Sequence, residues 1–263
     1  MTDANLSEFV TLGVAAPHIA LVTISRPEAR NAVNVAVTQG IAKALQITEA
    51  DCDIWVVVLT GAGGKAFSAG ADLKEVAAGR AMSLRTEAGG FAGFTHYLRE
   101  KPWIAAVEGF ALGGGCEIAL ACDLIVASEV SVFGLPEAKR GLIAGAGGVY
   151  RLPRVLPRNI ALELISTGAE LPAARAYAFG MVNRLVVPGG AVEAAVALAA
   201  SICGCAPVAV REGLKVARAS ADFDDATLRE MTREAIRRTS LSADYQEGPR
   251  AFIEKRAPKW LGR

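Results

Sequence analysis

Uninterrupted apolar runs set the frame of this chain. Trp55-Val56-Val57-Val58-Leu59 has no polar position and stops at Thr60-Gly61; Ile104-Ala105-Ala106-Val107 and Leu124-Ile125-Val126-Ala127 follow the same pattern. A strand with one wet face alternates apolar and polar residues. A run without alternation predicts a strand buried on both faces, as in a parallel sheet covered by helices. Ile19 to Ile24 is a further β-rich run, ending at Arg26-Pro27. Thr38 to Glu49 instead spaces Ile41, Ala44, Leu45 and Thr48 along one helical face. Glycine-rich corners lie between these elements: Gly61-Ala62-Gly63-Gly64, Gly113-Gly114-Gly115 and Gly145-Ala146-Gly147-Gly148. Buried strands alternating with helices predict an α/β fold around a mostly parallel sheet.

From about Asn159 the pattern turns alanine-rich and helical, over 159–167, 172–180, 190–203, 207–219 and 224–240, with turns such as Pro188-Gly189-Gly190 between segments. This predicts a helical layer in the last third. Glu75 to Lys101 is less regular, with Gly79, Gly89, Gly90 and Gly93, and reads as a mobile flap or as a helix with loose ends. No internal repeat of fixed period is present.

Composition narrows the function classes. With 263 residues, 52% of them hydrophobic, the chain can bury a large core, and a formal charge of +1 argues against a general nucleic-acid surface. Five dispersed cysteines without a C-x-x-C pair predict reduced thiols rather than a disulfide framework. The start, Met1-Thr2-Asp3-Ala4-Asn5, lacks the basic and apolar regions of a signal peptide, and no run approaches about 18 apolar residues. The expectation is a cytoplasmic protein with no membrane segment.

Several chemistries can be set aside. A phosphate loop around Gly64-Lys65 would need Gly at 59 and Ser or Thr at 66, where the chain has Leu59 and Ala66. Gly145-Ala-Gly-Gly continues as Val149-Tyr150, so dinucleotide spacing fails. Ala66-Phe67-Ser68-Ala69-Gly70 lacks the first Gly of a nucleophile elbow. With only His18 and His96, a Ser–His triad or a multi-histidine metal site has few candidates. Both are expected to be surface or packing residues.

Two segments carry the candidate chemistry: Lys65 to Lys74, and Gly109 to Leu120 with its triple glycine. Each places small residues after an apolar strand. In the second, the glycines lead into a helix, whose first N–H groups are unpaired and can stabilise a carbonyl oxygen that becomes negative. A tight strand-to-helix turn would need the same glycines. Glu117 lies one turn into that helix, and Glu137 follows Phe133-Gly134-Leu135-Pro136 on a loop after a strand. Two carboxylates near one polarised carbonyl make a general acid/base pair. Taken singly, Glu117 also reads as a partner of the helix dipole and Glu137 as a solvated loop residue.

Over essentially its whole length the sequence resembles the enoyl-CoA hydratase/isomerase (crotonase) superfamily. The resemblance rests on Arg26-Pro27-Glu28-Ala29-Arg30-Asn31-Ala32, Phe67 to Lys74, Gly113-Gly114-Gly115-Cys116-Glu117, Phe133 to Glu137 and Gly145 to Gly148. It implies a crotonase-like β-β-α spiral, 1–200, with a C-terminal helical trimerisation region, 201–263, assembled as a homotrimer or a hexamer made of two trimers. It assigns oxyanion donors to the N–H groups of Ala71 and Gly114, acid/base roles to Glu117 and Glu137, and CoA binding to Ala69, Ala71, Asp72, Leu73 and Lys74. By resemblance Glu117 leads on water and Glu137 on the α-proton. The partner is an acyl-CoA thioester; CoA comes with the substrate, and no metal or other cofactor is implied.

Within the superfamily, retention of both glutamates favours hydration of a 2-enoyl-CoA over double-bond isomerisation, and over a non-catalytic or RNA-binding role. Gly89 to Phe94, Leu135 to Lys139 and Glu247 to Phe252 resemble the carnitinyl-CoA dehydratase branch. Ala71 stands where that branch tends to carry Trp, and Ala144 where hydratases carry Pro. Ala77, Ala78, Ala81, Met82, Leu84, Phe91 and Phe94 are placed to wall the acyl end, which favours an apolar acyl group over a quaternary ammonium.

Overall fold

The strands that lack a polar face, Val56–Gly61 and Trp103–Val107, are buried along their whole length in the interior of a seven-stranded sheet. The computed structural model describes residues 4–263; Met1-Thr2-Asp3, the beginning of the polar start, lie outside the described residues. Sheet order follows the chain: Ala4–Ser7, Val10–Ala16, Ile19–Ile24, Val56–Gly61, Trp103–Val107, Leu124–Ser128 and Arg184–Val186. The first three strands pair antiparallel and the rest parallel, in registers such as Leu21↔Val58, Val58↔Ile104 and Ile104↔Leu124. The mostly parallel sheet is therefore present, with an antiparallel meander added at its first edge.

Successive side chains of a strand point to opposite faces. Val57, Leu59, Ala105 and Val107 accordingly enter the larger core, and Val56, Val58, Ile104, Ala106 and Val126 a second one. Helix Ala191–Cys203 closes the second core with Ala191, Ala195 and Ala199. Alanine at every fourth position makes a stripe of methyl groups, so this helix can lie close against the sheet.

A second sheet has the order Glu170–Pro172, Val132–Gly134, Phe110–Leu112 and Ala66–Ser68. Its three earlier strands run parallel and Glu170–Pro172 antiparallel. Each middle turn of the chain gives one strand to each sheet and then turns into helical structure, which is the β-β-α spiral. The first-sheet strands of these turns begin at 56, 103 and 124, so the architecture repeats without a fixed period in the sequence.

The last third is less purely helical than its alanine content predicts. Glu170–Pro172 and Arg184–Val186 interrupt the helices and complete both sheets; the segment expected as a helix over 172–180 is helical only at Ala173–Ala178. A further helix, Asp244–Ile253, has no strong signal, since Gly248 and Pro249 lie inside it. The boundary expected at residue 200 falls within helix Ala191–Cys203; the turn at Gly204–Ala206 separates it from Pro207–Ala219. The tail docks on its own chain. Trp260 Nε1 donates to the Gly204 carbonyl at 2.8 Å, and the N–H groups of Leu261 and Gly262 donate to Asp244 at 2.7 and 2.9 Å. Phe252 and Ile253 remain exposed. No single helix among the described residues is long and apolar enough to cross a membrane.

Arg218 ties the C-terminal helices to the first sheet. Its Nε and Nη2 reach the two oxygens of Asp123 at 2.7 and 2.9 Å, and Asp123 also accepts from the Trp103 N–H at 2.8 Å. Asp123→Ala removes all three bonds and leaves a half-buried guanidinium with carbonyl partners alone. The expected cost is about 2–3 kcal/mol, a fall in Tm of roughly 5–10 °C by calorimetry. An unchanged Tm would show that this tie does not hold the helices.

Candidate active site

The second sheet brings the ends of three parallel strands together, and with them the loops that begin at Ala69, Gly113 and Leu135. Asn31 fixes the first loop. Its fully buried amide donates to the carbonyls of Ala62 and Ala66 at 2.9 and 2.7 Å and accepts from the Arg26 N–H at 2.8 Å. The Asn31 carbonyl accepts from Ser68 Oγ at 2.8 Å, and Ser68 Oγ accepts from the Gly70 N–H at 3.2 Å. Val33 then bridges the loop: its N–H donates to the Gly70 carbonyl at 2.7 Å, and its carbonyl accepts from the Asp72 N–H at 2.9 Å. Neighbouring N–H groups of extended chain point opposite ways, so the Ala71 N–H faces away from Val33.

The triple glycine is explained by close packing. Gly113 has φ +55° and ψ −127°, a conformation that side chains resist. A side-chain carbon on Gly114 would lie 2.5 Å from the Phe91 ring, and one on Gly115 would collide with the Ser68 carbonyl. On the facing loop, Gly70 has φ +88°, and a carbon there would lie 2.7 Å from the Gly114 nitrogen. The backbones at 70 and 114 are therefore in direct contact. Among the described residues, the N–H groups of Ala71 and Gly114 have no hydrogen-bond acceptor. Gly114 also opens helix Gly114–Ala121, at its positive end.

The same helix carries Glu117, which is 4% exposed. Its Oε1 accepts from the N–H groups of Ala146 and Gly148 at 2.7 and 2.9 Å. Glu137 is the second residue of the 3₁₀ turn Pro136–Arg140, half-buried, with Oε1 about where it would meet a side-chain carbon of Gly113, at 3.1 Å. Its Oε2 is buried without a partner. Burial pushes both carboxyls above the usual range. At Glu117 the two amides oppose that shift, with Arg151 and Arg85 helping; at Glu137 the neighbouring Glu117 charge adds to it. The two acids therefore share one site in unlike environments.

Other expected residues are placed less directly. The Asp72 carboxylate is taken up by Arg26 Nη1 at 2.6 Å and by the Lys74 N–H at 3.0 Å, where it caps helix Leu73–Ala77. Leu73 and Lys74 are exposed at the start of that helix, and Ala69 is half-buried. Of the expected acyl wall, Phe91 reaches Gly114, whereas Leu84 and Phe94 are core residues and Ala77, Ala78, Ala81 and Met82 are exposed. Glu75 to Lys101 is not a single helix with loose ends: after the end of helix Leu73–Ala77, a 3₁₀ turn and the small ladder Arg85–Thr86/Gly90–Phe91 shape it. His18 stacks on Trp55 with ring centroids 3.7 Å apart, and the His96 ring packs against Gly90. Sequence reasoning missed Arg151, which binds the Ala146 carbonyl beside Glu117.

Comparisons with known proteins bear on the family and the fold. The family model described as enoyl-CoA hydratase/isomerase matches residues 15–263. The chain is similar to a carnitinyl-CoA dehydratase of Salmonella typhi, 40% identical over 92% of this chain and 94% of that protein. Among solved structures it is similar to an enoyl-CoA hydratase from Mycobacterium tuberculosis H37Rv, with TM-score 0.92, 45% identity and coverage of 97% and 99%. It is also similar to a carnitinyl-CoA hydratase from Mycobacterium avium, with TM-score 0.76, 45% identity and the same coverages.

The paired acids give a titration test. Carbon-13 NMR of glutamate-labelled protein, assigned with Glu117→Gln and Glu137→Gln, should show both carboxyls titrating above the ordinary 4.5. Because the two charges interact, removing Glu117 should lower the Glu137 midpoint. Midpoints at 4.5 that ignore each other would rule out a shared buried site.

Proposed function

Because this chain belongs to the enoyl-CoA hydratase/isomerase family, we propose that it adds water across the 2,3 double bond of a 2-enoyl-CoA to give a 3-hydroxyacyl-CoA. The observation that carries this reading is the contact of Gly70 with Gly114, which sets two unpaired N–H groups beside the helix that bears Glu117.

In this mechanism the thioester carbonyl accepts hydrogen bonds from Ala71 and Gly114. The β-carbon becomes electrophilic, and the enolate oxygen formed by attack is held by the same two donors. One such donor contributes roughly 3 kcal/mol to barrier lowering, about 10²-fold in rate. Glu117, with two amides on one oxygen, is the better-stabilised anion and takes the proton of the attacking water. Glu137, whose carboxyl is raised by burial and by the neighbouring Glu117 charge, delivers a proton to the α-carbon. Ala69 to Lys74 lies along the approach of the CoA moiety, with Leu73 and Lys74 open to solvent.

Purified protein incubated with a 2-enoyl-CoA series and with crotonobetainyl-CoA, with products analysed by mass, tests the reading. The expected result is gain of one water and higher kcat/KM on apolar acyl groups. The cations Arg85 and Arg151 act on Glu117, so a cationic acyl tail would meet like charge. Crotonobetainyl-CoA hydration is the second reading, favoured by the 40% identity to the carnitinyl-CoA dehydratase; preference for that substrate would select it. An unchanged mass with a shifted double bond would replace hydration by isomerisation. Glu117→Gln and Glu137→Gln should each lower kcat by at least about 10², with acyl-CoA affinity little changed. Near-normal turnover in either variant excludes the two-glutamate mechanism.

A trimer-based assembly, as three subunits or six, goes with this reading. It is supported by the exposed apolar residues Phe223, Ile236, Leu241, Phe252 and Ile253 on the C-terminal helices and turns. Light scattering should give the mass of a trimer or its double; a stable monomer at working concentration would refute it.

A further inference from the structure

Arg151 lies on helix Gly148–Val155, outside the residues assigned to the chemistry. Its partners are carbonyl oxygens. Nη1 donates to Ala146 at 2.9 Å and Nη2 to Thr95 at 2.6 Å, so one guanidinium joins the Gly-Ala-Gly-Gly corner to the turn that follows Phe91. The Ala146 carbonyl belongs to the peptide linking Ala146 to Gly147. The peptides on either side supply the N–H groups of Ala146 and Gly148, the two donors to Glu117 Oε1. The carbonyl between them is engaged by Arg151 Nη1, so the peptide that joins the two donors is itself held by the guanidinium. Gly147, between the two donor peptides, has φ +118°, and a side-chain carbon there would collide with Arg151 Nη1.

We infer that Arg151 is a positioning residue for Glu117: it holds the Ala146–Gly147 peptide in place, so that the flanking N–H groups converge on the carboxylate. The inference rests on the hydration chemistry proposed above for Glu117. A lysine would keep the charge but not the planar fork that spans two carbonyls at once. A neutral side chain would leave the Ala146 carbonyl unpartnered and free that peptide to rotate, and the two flanking N–H groups would no longer be fixed on the carboxylate.

The charged and titratable groups around Glu117 are Arg151, Arg85, Glu137 and the Cys116 thiol, with His96 in the field of the two arginines. Arg151 and Arg85 favour the ionised Glu117 against the effect of burial. Losing Arg151 therefore shifts the Glu117 midpoint upward, and the acidic limb of the pH–rate profile follows it.

Arg151→Met and Arg151→Lys are compared with wild type by kcat and KM across pH, and by carbon-13 NMR titration of Glu117. In Arg151→Met the expected result is a fall in kcat of about 10-fold to 10²-fold with KM little changed, and a Glu117 midpoint raised above that of wild type. Arg151→Lys should restore most of the midpoint but only part of kcat, because charge returns and the fork does not. A methionine variant with wild-type kcat and an unmoved midpoint overturns the inference. If the methionine variant does not fold, the lysine variant decides: full kcat overturns the inference, and reduced kcat at unchanged Tm supports it. Wild type that hydrates no enoyl-CoA would defeat the proposed function instead, while the NMR titration still reports on Arg151.

Discussion

The contact of two backbones, at Gly70 and Gly114, is the constraint on which the rest of the site depends. A side chain on either residue would separate the strand-end loops and with them the N–H groups of Ala71 and Gly114. Much of the surrounding sequence serves that approach. Ser68 pairs with Ala111 in the second sheet, Asn31 threads its amide into the loop, and Arg26 neutralises Asp72 where the loop becomes a helix. These bonds are made within the protein, so the loop is shaped before any substrate arrives. Preorganised donors need no reorientation when charge develops, which is the main source of their strength in catalysis.

The electrostatics follow from that frame. Two buried carboxylates in one site repel and would both tend to hold protons. Their surroundings break the symmetry: Glu117 receives two amide donors, whereas one oxygen of Glu137 receives none. Chemically identical side chains are thereby placed in unlike surroundings, by backbone donors and by neighbouring charges together.

How much of this was legible in the sequence depended on length and on chemical distinctiveness. Val56–Gly61 and Trp103–Val107 were readable because burial on both faces writes an unbroken apolar run. The second sheet was not, because strands such as Ala66–Ser68 and Phe110–Leu112 are too short to display any period. Glu117, Glu137 and the glycines were legible because carboxylates in apolar settings and repeated glycines are costly without a purpose. Leu84 and Phe94 were misplaced, since a pocket wall and a packed core draw on the same apolar residues. Arg151 escaped notice because its partners are main-chain carbonyls, which any sequence can supply.

The order of strands in the two sheets has a consequence for how the chain is made. Each sheet is laid down in the order of synthesis, from Ala4–Ser7 to Arg184–Val186 in one and from Ala66–Ser68 to Glu170–Pro172 in the other. As the polypeptide leaves the ribosome, every new strand can add to an edge that already exists, and none must be inserted between strands already paired. The growing edges stay open until Glu170–Pro172 and Arg184–Val186 have emerged. Until then the nascent chain presents two unfinished edges, each able to pair with another chain, and vulnerability to misassembly is concentrated in that late interval.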